Sequence, residues 1–66
     1  MNIQLNGEDI AIPPQCTISA LLTEQGLAGR RVAVEVNGEI VPRGRHDTHQ
    51  INEGDRVEIV HALGGG

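Results

Sequence analysis

The fold is decided by residues 32–42, which read Val32-Ala33-Val34-Glu35-Val36-Asn37-Gly38-Glu39-Ile40-Val41-Pro42. The three leading valines alternate with Ala33 and Glu35, and this period of two is typical of a strand that turns one face toward a core. The Asn-Gly dipeptide that follows readily supplies the two positive φ angles of a tight hairpin turn. A short second strand over residues 39–41 ends at Pro42, because proline has no N–H to donate to a sheet. These residues therefore predict a β-hairpin.

The N-terminal residues predict a second hairpin of the same kind. Asn6-Gly7 supplies its turn, and Pro13-Pro14 ends its second strand. On either side of the turn, apolar side chains occupy alternate positions that are expected to face the core: Ile3, Leu5, Ile10 and Ile12.

A short helix is predicted between the hairpins, at about residues 17–25. Thr17 is a suitable N-cap, since its hydroxyl can accept a bond from a free N–H of the first turn. Gly26 stands where a left-handed residue ends a helix, and Leu27 can fold back onto the last turn. One apolar stripe follows the helical spacing: Ile18, Leu21 and Leu22.

The remaining residues add one strand. Residues 43–55 are polar apart from Ile51, which we expect to be their single anchor in the core. A turn at residues 53–55 leads into a last strand over residues 56–61, whose Val57 and Ile59 join the core. The prediction is a single α+β domain with four or five strands and one helix, in the order β-β-α-β-β-β.

One helix can cover only one face of such a sheet. The other face would carry small apolar side chains among charged ones, at Ala33, Val60 and Ala62. The residues alone leave two interpretations open. These side chains are either scattered surface residues, as any monomer has, or a docking patch for a partner.

The composition excludes several classes of function. Sixty-six residues allow one small domain, with little room for a deep catalytic cleft. Five arginines and no lysine stand against nine acidic residues, and no residue is aromatic, so we expect neither nucleic acid nor membrane as a partner. No apolar segment is long enough to span a bilayer, and the N-terminus lacks the features of a signal peptide. With one cysteine and no disulfide to form, a soluble cytoplasmic protein is expected.

Few side chains could carry catalysis or bind metal. Cys16 stands just before the helix, but no partner is placed to activate it, so we expect an inert thiol. His46 and His49 have the spacing of two zinc ligands without a complete set, and we expect solvated loop histidines and no metal site. The turn-flanking carboxylates have no apolar pocket that would raise a pKa, which argues against acid–base catalysis by Glu8, Asp9, Glu53 or Asp55.

The C-terminal Gly64-Gly65-Gly66 has no side chains to pack, and we expect a flexible tail. Such a tail is narrow enough to enter a tunnel in another protein, with an α-carboxylate at its tip. A carboxylate is a poor electrophile until an ATP-using enzyme converts it into an acyl-adenylate, which a sulfur or nitrogen nucleophile can attack. A frayed end without function is the alternative interpretation of the tail alone.

Residues 36–43 and 54–66 together resemble one known family, the ThiS sulfur carriers of thiazole and thiamine biosynthesis. Residues 1–7 are similar to that family as well, and the resemblance covers the whole chain. A terminal Gly-Gly is shared with ubiquitin and its relatives, so the two internal runs make the resemblance specific. These runs are Val-Asn-Gly-Glu-Ile-Val-Pro-Arg and Gly-Asp-Arg-Val-Glu-Ile-Val.

The resemblance implies a β-grasp, ubiquitin-like fold, in which a mixed sheet wraps one helix and the first and last strands run parallel. The domain would span residues 1–63, with residues 64–66 as the tail. The resemblance also implies that a ThiF-like enzyme uses ATP to adenylate Gly66, and that sulfur from cysteine desulfurase chemistry converts it into a thiocarboxylate. A ThiG-like thiazole synthase would then take that sulfur.

The same resemblance implies a role for each tail residue. Gly66 would be the modified position, with Gly64 and Gly65 recognised by the partner and Val60 and Ala62 on the docking face. The chain would be a carrier and not an enzyme, and would bind no cofactor, since the partner enzyme uses the ATP.

Three alternatives remain. The first is a sulfur carrier for another pathway, such as the small subunit of molybdopterin synthase, although the context Val41-Pro42-Arg43 favours thiamine. The second is a ubiquitin-like modifier attached through Gly66, which could not form isopeptide-linked polymers on itself because the chain has no lysine. The third is an interaction domain whose tail is incidental.

Overall fold

Within residues 1–61, which the computed structural model describes, five strands form one mixed sheet that packs against one α-helix. The strands are β1 (Asn2–Leu5), β2 (Glu8–Ala11), β3 (Val32–Val36), β4 (Glu39–Ile40) and β5 (Arg56–His61), and the helix α1 is Ile18–Glu24. The order β-β-α-β-β-β is confirmed. The predicted boundary between residues 63 and 64 lies outside the described residues.

The two hairpins lie on either side of the last strand, in the spatial order β2-β1-β5-β3-β4. β5 runs parallel to β1 and antiparallel to β3, while β1–β2 and β3–β4 are the antiparallel hairpin pairs. The first and last strands are therefore parallel neighbours at the centre of the sheet. This arrangement confirms the expected β-grasp fold.

Both Asn-Gly dipeptides form the predicted hairpin turns. Asn6 and Gly7 have φ of 50° and 84°, and Asn37 and Gly38 have φ of 53° and 86°. Two successive positive φ angles define a type I′ turn, whose twist matches that of the flanking strands. Asparagine tolerates this left-handed conformation better than most residues with a side chain.

The side chains of the same two asparagines bind the central strand. Asn6 Oδ1 accepts the N–H of Ile59 at 2.8 Å, and Asn6 Nδ2 donates to the Ile59 carbonyl at 3.2 Å. Asn37 Oδ1 accepts the N–H of Arg56 at 2.9 Å, and Asn37 Nδ2 donates to Asp55 Oδ1 at 3.0 Å. Each turn therefore fixes one part of β5 as well as its own hairpin.

The helix ends as the sequence predicts. Thr17 caps its N-terminus by accepting the Ala20 N–H at 3.1 Å. At its C-terminus Gly26 has a φ of 74°, and the Leu27 N–H donates to the Leu22 carbonyl at 2.7 Å. This closure is a Schellman motif, which satisfies carbonyls that the helix leaves free.

The core lies between α1 and one face of the sheet. Its members are the inward residues of the strands, the apolar stripe of the helix and four residues outside these elements. Ile51 is buried as predicted, and its N–H donates to the Cys16 carbonyl at 2.9 Å. Ile10 is half-buried at the margin of the core, where it packs against the others.

Two polar residues of the loop before β5 are buried, contrary to expectation. The prediction that His46 is a solvated loop histidine was wrong: its Nε2 lies 3.0 Å from the Val41 carbonyl. Asp55 is also buried, where it accepts the Asn52 N–H at 2.8 Å as well as the bond from Asn37. Ile51 is therefore not the single anchor of residues 43–55. A 3₁₀ turn at Arg43–Arg45, which the sequence pattern did not predict, begins this loop.

We expect Asn6→Ala to destabilise the protein by about 2 kcal/mol. The change leaves the N–H and carbonyl of Ile59 without their partner, and an unsatisfied buried group costs about 1–3 kcal/mol. Urea unfolding measures the effect. Asn6 has two roles, the positive φ of the turn and the side-chain bonds to β5. Glycine keeps the positive φ and loses only the bonds, so the stability lost by Asn6→Gly measures the bonds alone.

The matched control is Asn52→Ala, which removes an asparagine side chain at an exposed position. We expect it to change the free energy of unfolding by less than about 0.5 kcal/mol. Equal losses for Asn6→Ala and Asn52→Ala would show that the side-chain bonds to Ile59 do not stabilise the fold.

Candidate functional site

The sheet face opposite α1 is uncovered in the described part of the chain, and we call it the open face. Strand register places six side chains of β3, β4 and β5 on it: Ala33, Glu35, Ile40, Arg56, Glu58 and Val60. Val60 and Ile40 are 58% and 61% exposed and are the exposed large hydrophobic residues of residues 1–61. The open face therefore combines two apolar side chains with charged neighbours.

The described chain ends beside this face. β5 ends at His61, which pairs with Val32 at the start of β3, and Val60 lies opposite Ala33. The residue predicted for docking, Val60, is thus on the open face, one position before the end of the central strand. Ala62 and residues 64–66, the other predicted site residues, lie outside the described residues.

The centre of the open face carries an opposed pair of acidic residues. Glu35 of β3 and Glu58 of β5 are direct cross-strand partners, and Ile40 lies next to Glu35 on β4. Directly opposed residues have Cβ atoms about 4.5–5.5 Å apart, so like charges there repel each other. Glu35, Ile40 and Glu58 were not predicted as site residues, because only the pairing of β3 with β4 and with β5 shows that they are neighbours.

Cys16 lies away from this face, in the core. Burial raises the pKa of its thiol above the ordinary value of 9.0, and the negative charge of Glu24 raises this pKa further. The Sγ atom donates a weak bond to the Thr17 carbonyl at 3.5 Å. The helix N-terminus next to Cys16 therefore does not produce a reactive thiolate, and the expectation of an inert thiol agrees with this environment.

Ser19, His46 and Asp47 bring the three residue types of an acyl-transfer triad into one groove. Their bonds do not form a triad. The Ser19 hydroxyl donates to Asp47 Oδ1, whereas His46 Nε2 faces the Val41 carbonyl. A histidine that activates a serine must accept the serine proton, and this ring nitrogen is directed elsewhere. The arrangement holds the loop against the helix and offers no nucleophile.

Metal ligation finds no support in residues 1–61. No group of three or more His, Cys, Asp or Glu side chains is close enough there to hold an ion.

The α-helix α1 has seven residues, and no helix in the described part of the chain could span a bilayer.

The chain is similar to proteins of sulfur and thiamine metabolism. A model of the ThiS family matches residues 3–66. The sulfur carrier protein ThiS of Bacillus subtilis is 38% identical over 65 residues, which are 97% of this chain and 98% of that protein. The crystal structure of a thiamine biosynthesis protein (ThiS) from Geobacter metallireducens superimposes with a TM-score of 0.87 at 32% identity and covers 100% of both chains.

A larger relative contains a segment like this chain. A thiazole synthase of Paramagnetospirillum magneticum is 44% identical over 66 residues, which are 100% of this chain and 20% of that protein. The chain thus spans one fifth of the length of this relative.

The buried thiol gives the protein a distinct alkaline pH dependence. Because the folded pKa of Cys16 is raised, its contribution to stability is complete below pH 9.0 and is lost as the pH rises through the folded pKa. Lysine and tyrosine are absent, so no other side-chain type with a pKa in this range interferes. We expect the free energy of unfolding, measured with urea under a reducing agent, to fall above about pH 9.

Cys16→Ala is the control, because it removes the titrating group. Its free energy of unfolding should vary less with pH over the same range, even though the lost sulfur lowers its overall stability. Parallel pH profiles for the two proteins would contradict the raised pKa.

Proposed function

We propose that this chain, which belongs to the ThiS family, is a sulfur carrier of thiamine biosynthesis and carries the sulfur as a thiocarboxylate on Gly66. A ThiF-like enzyme uses ATP to adenylate the terminal carboxylate with release of pyrophosphate. A persulfide from cysteine desulfurase chemistry then displaces AMP to give an acyl disulfide, and a thiol reductant cleaves its S–S bond to leave the thiocarboxylate. A ThiG-like thiazole synthase takes the sulfur for the thiazole ring, and the carboxylate is restored.

One observation of the described residues supports this proposal most. The C-terminal residues follow directly from β5, which lies at the centre of the sheet between β1 and β3 and reaches its end beside the open face. A partner that covers the open face would therefore have the tail Gly64-Gly65-Gly66 within its reach. The five residues that follow β5 would span at most about 16–18 Å when extended, which is far enough to enter a neighbouring active site.

The division of labour follows from the side chains. The described residues hold a buried thiol, a serine bound to a carboxylate and a histidine bound to the backbone, and none of these forms a nucleophile–base pair. We therefore assign catalysis and ATP binding to the partner enzymes. This chain supplies the recognised surface and the acceptor carboxylate, with no cofactor of its own, and acts in the cytoplasm.

The thiazole synthase is the partner that the comparisons favour. In the relative from Paramagnetospirillum magneticum a segment like this chain is part of a thiazole synthase polypeptide. Two functions joined in one polypeptide in one organism are often associated as separate chains in another. The family match also favours thiamine over a molybdopterin-type pathway.

Intact-mass measurement tests the proposed function. The protein is incubated with a ThiF-like adenylating enzyme, ATP and a sulfur source, and then weighed. We expect a mass increase equal to one sulfur replacing one oxygen. An unchanged mass would refute the thiocarboxylate, and a covalent ladder with other proteins would show a modifier instead.

The tail residues are tested by deletion of Gly66 and by Gly65→Trp. We expect both to abolish adenylation, measured as ATP–pyrophosphate exchange, because the first removes the acceptor and the second blocks a narrow tunnel. Gly44→Trp is the matched control, since a Cβ on Gly44 would meet no atom within 4 Å. Normal thiocarboxylation of Gly65→Trp would refute the tunnel.

A further inference from the structure

Two of the four asparagines in the chain are followed by glycine, at Asn6-Gly7 and Asn37-Gly38. An Asn-Gly sequence can deamidate without an enzyme, because the backbone nitrogen of the glycine can attack the side-chain Cγ of the asparagine. Glycine has no Cβ to hinder this attack, whereas Asn2 and Asn52 are followed by residues that carry side chains. The two hairpin turns are therefore the chemically susceptible positions of the chain.

Three hydrogen bonds hold Asn6 to β5. Its N–H donates to the Val57 carbonyl at 2.9 Å. Its Oδ1 accepts the Ile59 N–H at 2.8 Å, and its Nδ2 donates to the Ile59 carbonyl at 3.2 Å. The backbone of Asn6 and both polar atoms of its side chain are thus bonded to the central strand.

Asn37 is held in the same way at the start of β5. Its N–H donates to the Arg56 carbonyl at 2.8 Å, and its Oδ1 accepts the Arg56 N–H at 2.9 Å. Its Nδ2 donates to Oδ1 of Asp55, the residue before the strand, at 3.0 Å. The two susceptible asparagines therefore depend on the attachment of one strand.

These bonds, and not burial, keep each side chain from reacting with its glycine. Both Asn-Gly pairs are exposed, so water reaches the two sites. The N–H groups of Gly7 and Gly38 have no hydrogen-bond partner within residues 1–61. A side chain whose oxygen and nitrogen are both bonded to β5 cannot rotate its Cγ onto the nitrogen of the next residue. The reaction therefore requires that β5 first detaches from the turn.

From this arrangement we infer that Asn6 and Asn37 are sites of spontaneous deamidation that react only when β5 has detached. The glycine nitrogen loses its proton and bonds to Cγ, the bond from Cγ to the amide nitrogen breaks, and ammonia leaves. Water then opens the five-membered succinimide to aspartate or isoaspartate, so the reaction needs no oxidant, reductant or enzyme. The inference does not depend on the proposed function, since it concerns the attachment of β5 alone.

Deamidation at either site opposes the return of β5. A carboxylate at position 37 would face the buried carboxylate of Asp55, and a carboxylate at position 6 would face the carbonyl of Ile59. Carboxylates and carbonyls accept hydrogen bonds and donate none, so repulsion replaces the lost bond. Isoaspartate also adds one carbon to the backbone of a two-residue turn and disturbs its geometry. A brief detachment of the strand thus becomes a permanent weakening.

Peptide mapping by mass spectrometry tests the inference on the unsubstituted chain. Trypsin cleaves after arginine, so Asn6 and Asn37 fall in separate peptides, residues 1–30 and 32–43. Deamidation appears as one NH replaced by one oxygen. We expect it to be at least about tenfold slower at both sites in the folded protein than in the urea-unfolded protein. Below the unfolding midpoint both rates should rise with urea, as the population of detached chains does.

Asn37→Gly tests whether the two sites depend on the same strand. Glycine keeps the positive φ of the turn but loses both side-chain bonds to the start of β5 and to Asp55, so we expect deamidation at Asn6 to become roughly fivefold faster. Asn37→Asp imitates the product and should accelerate Asn6 further, because it adds the repulsion from Asp55. Asn52→Ala is the matched control, since it removes an exposed asparagine side chain that does not contact β5, and the rate at Asn6 should stay within about twofold.

Three results would overturn the inference. The first is an equal rate of deamidation in the folded and the unfolded chain, and the second is a folded-state rate that does not change with urea. The third is an unchanged rate at Asn6 in Asn37→Gly, which folds without the added carboxylate and so decides the question even where Asn37→Asp does not fold.

Discussion

The rest of the structure depends on the central position of β5 between two hairpins that come from distant parts of the chain. β1 pairs with it in parallel and β3 in antiparallel orientation, and the turn asparagines bond to it at Ile59 and at Arg56. The Asn-Gly turns thus combine two tasks, since their backbone reverses the chain and their side chains position the last strand. Without β5 the two hairpins would share no strand, and a lone two-stranded hairpin is at best marginally stable.

This constraint also determines where a partner can act. The single helix of residues 1–61 covers one face of the sheet, and within those residues no other helix covers the opposite face. Because β5 is both the central strand and the last strand of residues 1–61, the described residues end on the central strand, with Val60 on that face. In the proposed function, recognition and chemistry are therefore separated by only a few residues, and the catalytic clefts belong to the partner enzymes.

The strong local patterns of the sequence predicted most of the fold. The valine alternation of β3, both Asn-Gly turns and the Thr17 and Gly26 helix ends were all confirmed, since each depends on residues that are close in sequence. The burial of His46 and Asp55 was missed, because their partners Val41 and Asn37 belong to a hairpin whose position relative to the loop is set by tertiary packing. The alternation of β3 and β5 did predict which side chains face outward, because it depends only on residues that are close in sequence. It could not show that Glu35 and Glu58 are opposed, since register is set by the pairing of two separate strands.

A carrier that serves several enzymes in turn has to release each of them, and this limits how well any one surface can fit. In the proposed cycle the chain attaches at two points, the open face and the tail, so each contact can be weak while the two together are strong. Exposed apolar side chains suit such a surface. Ile40 and Val60 stay accessible on the open face of the free chain, so they can contact a partner and release it without any change in the core.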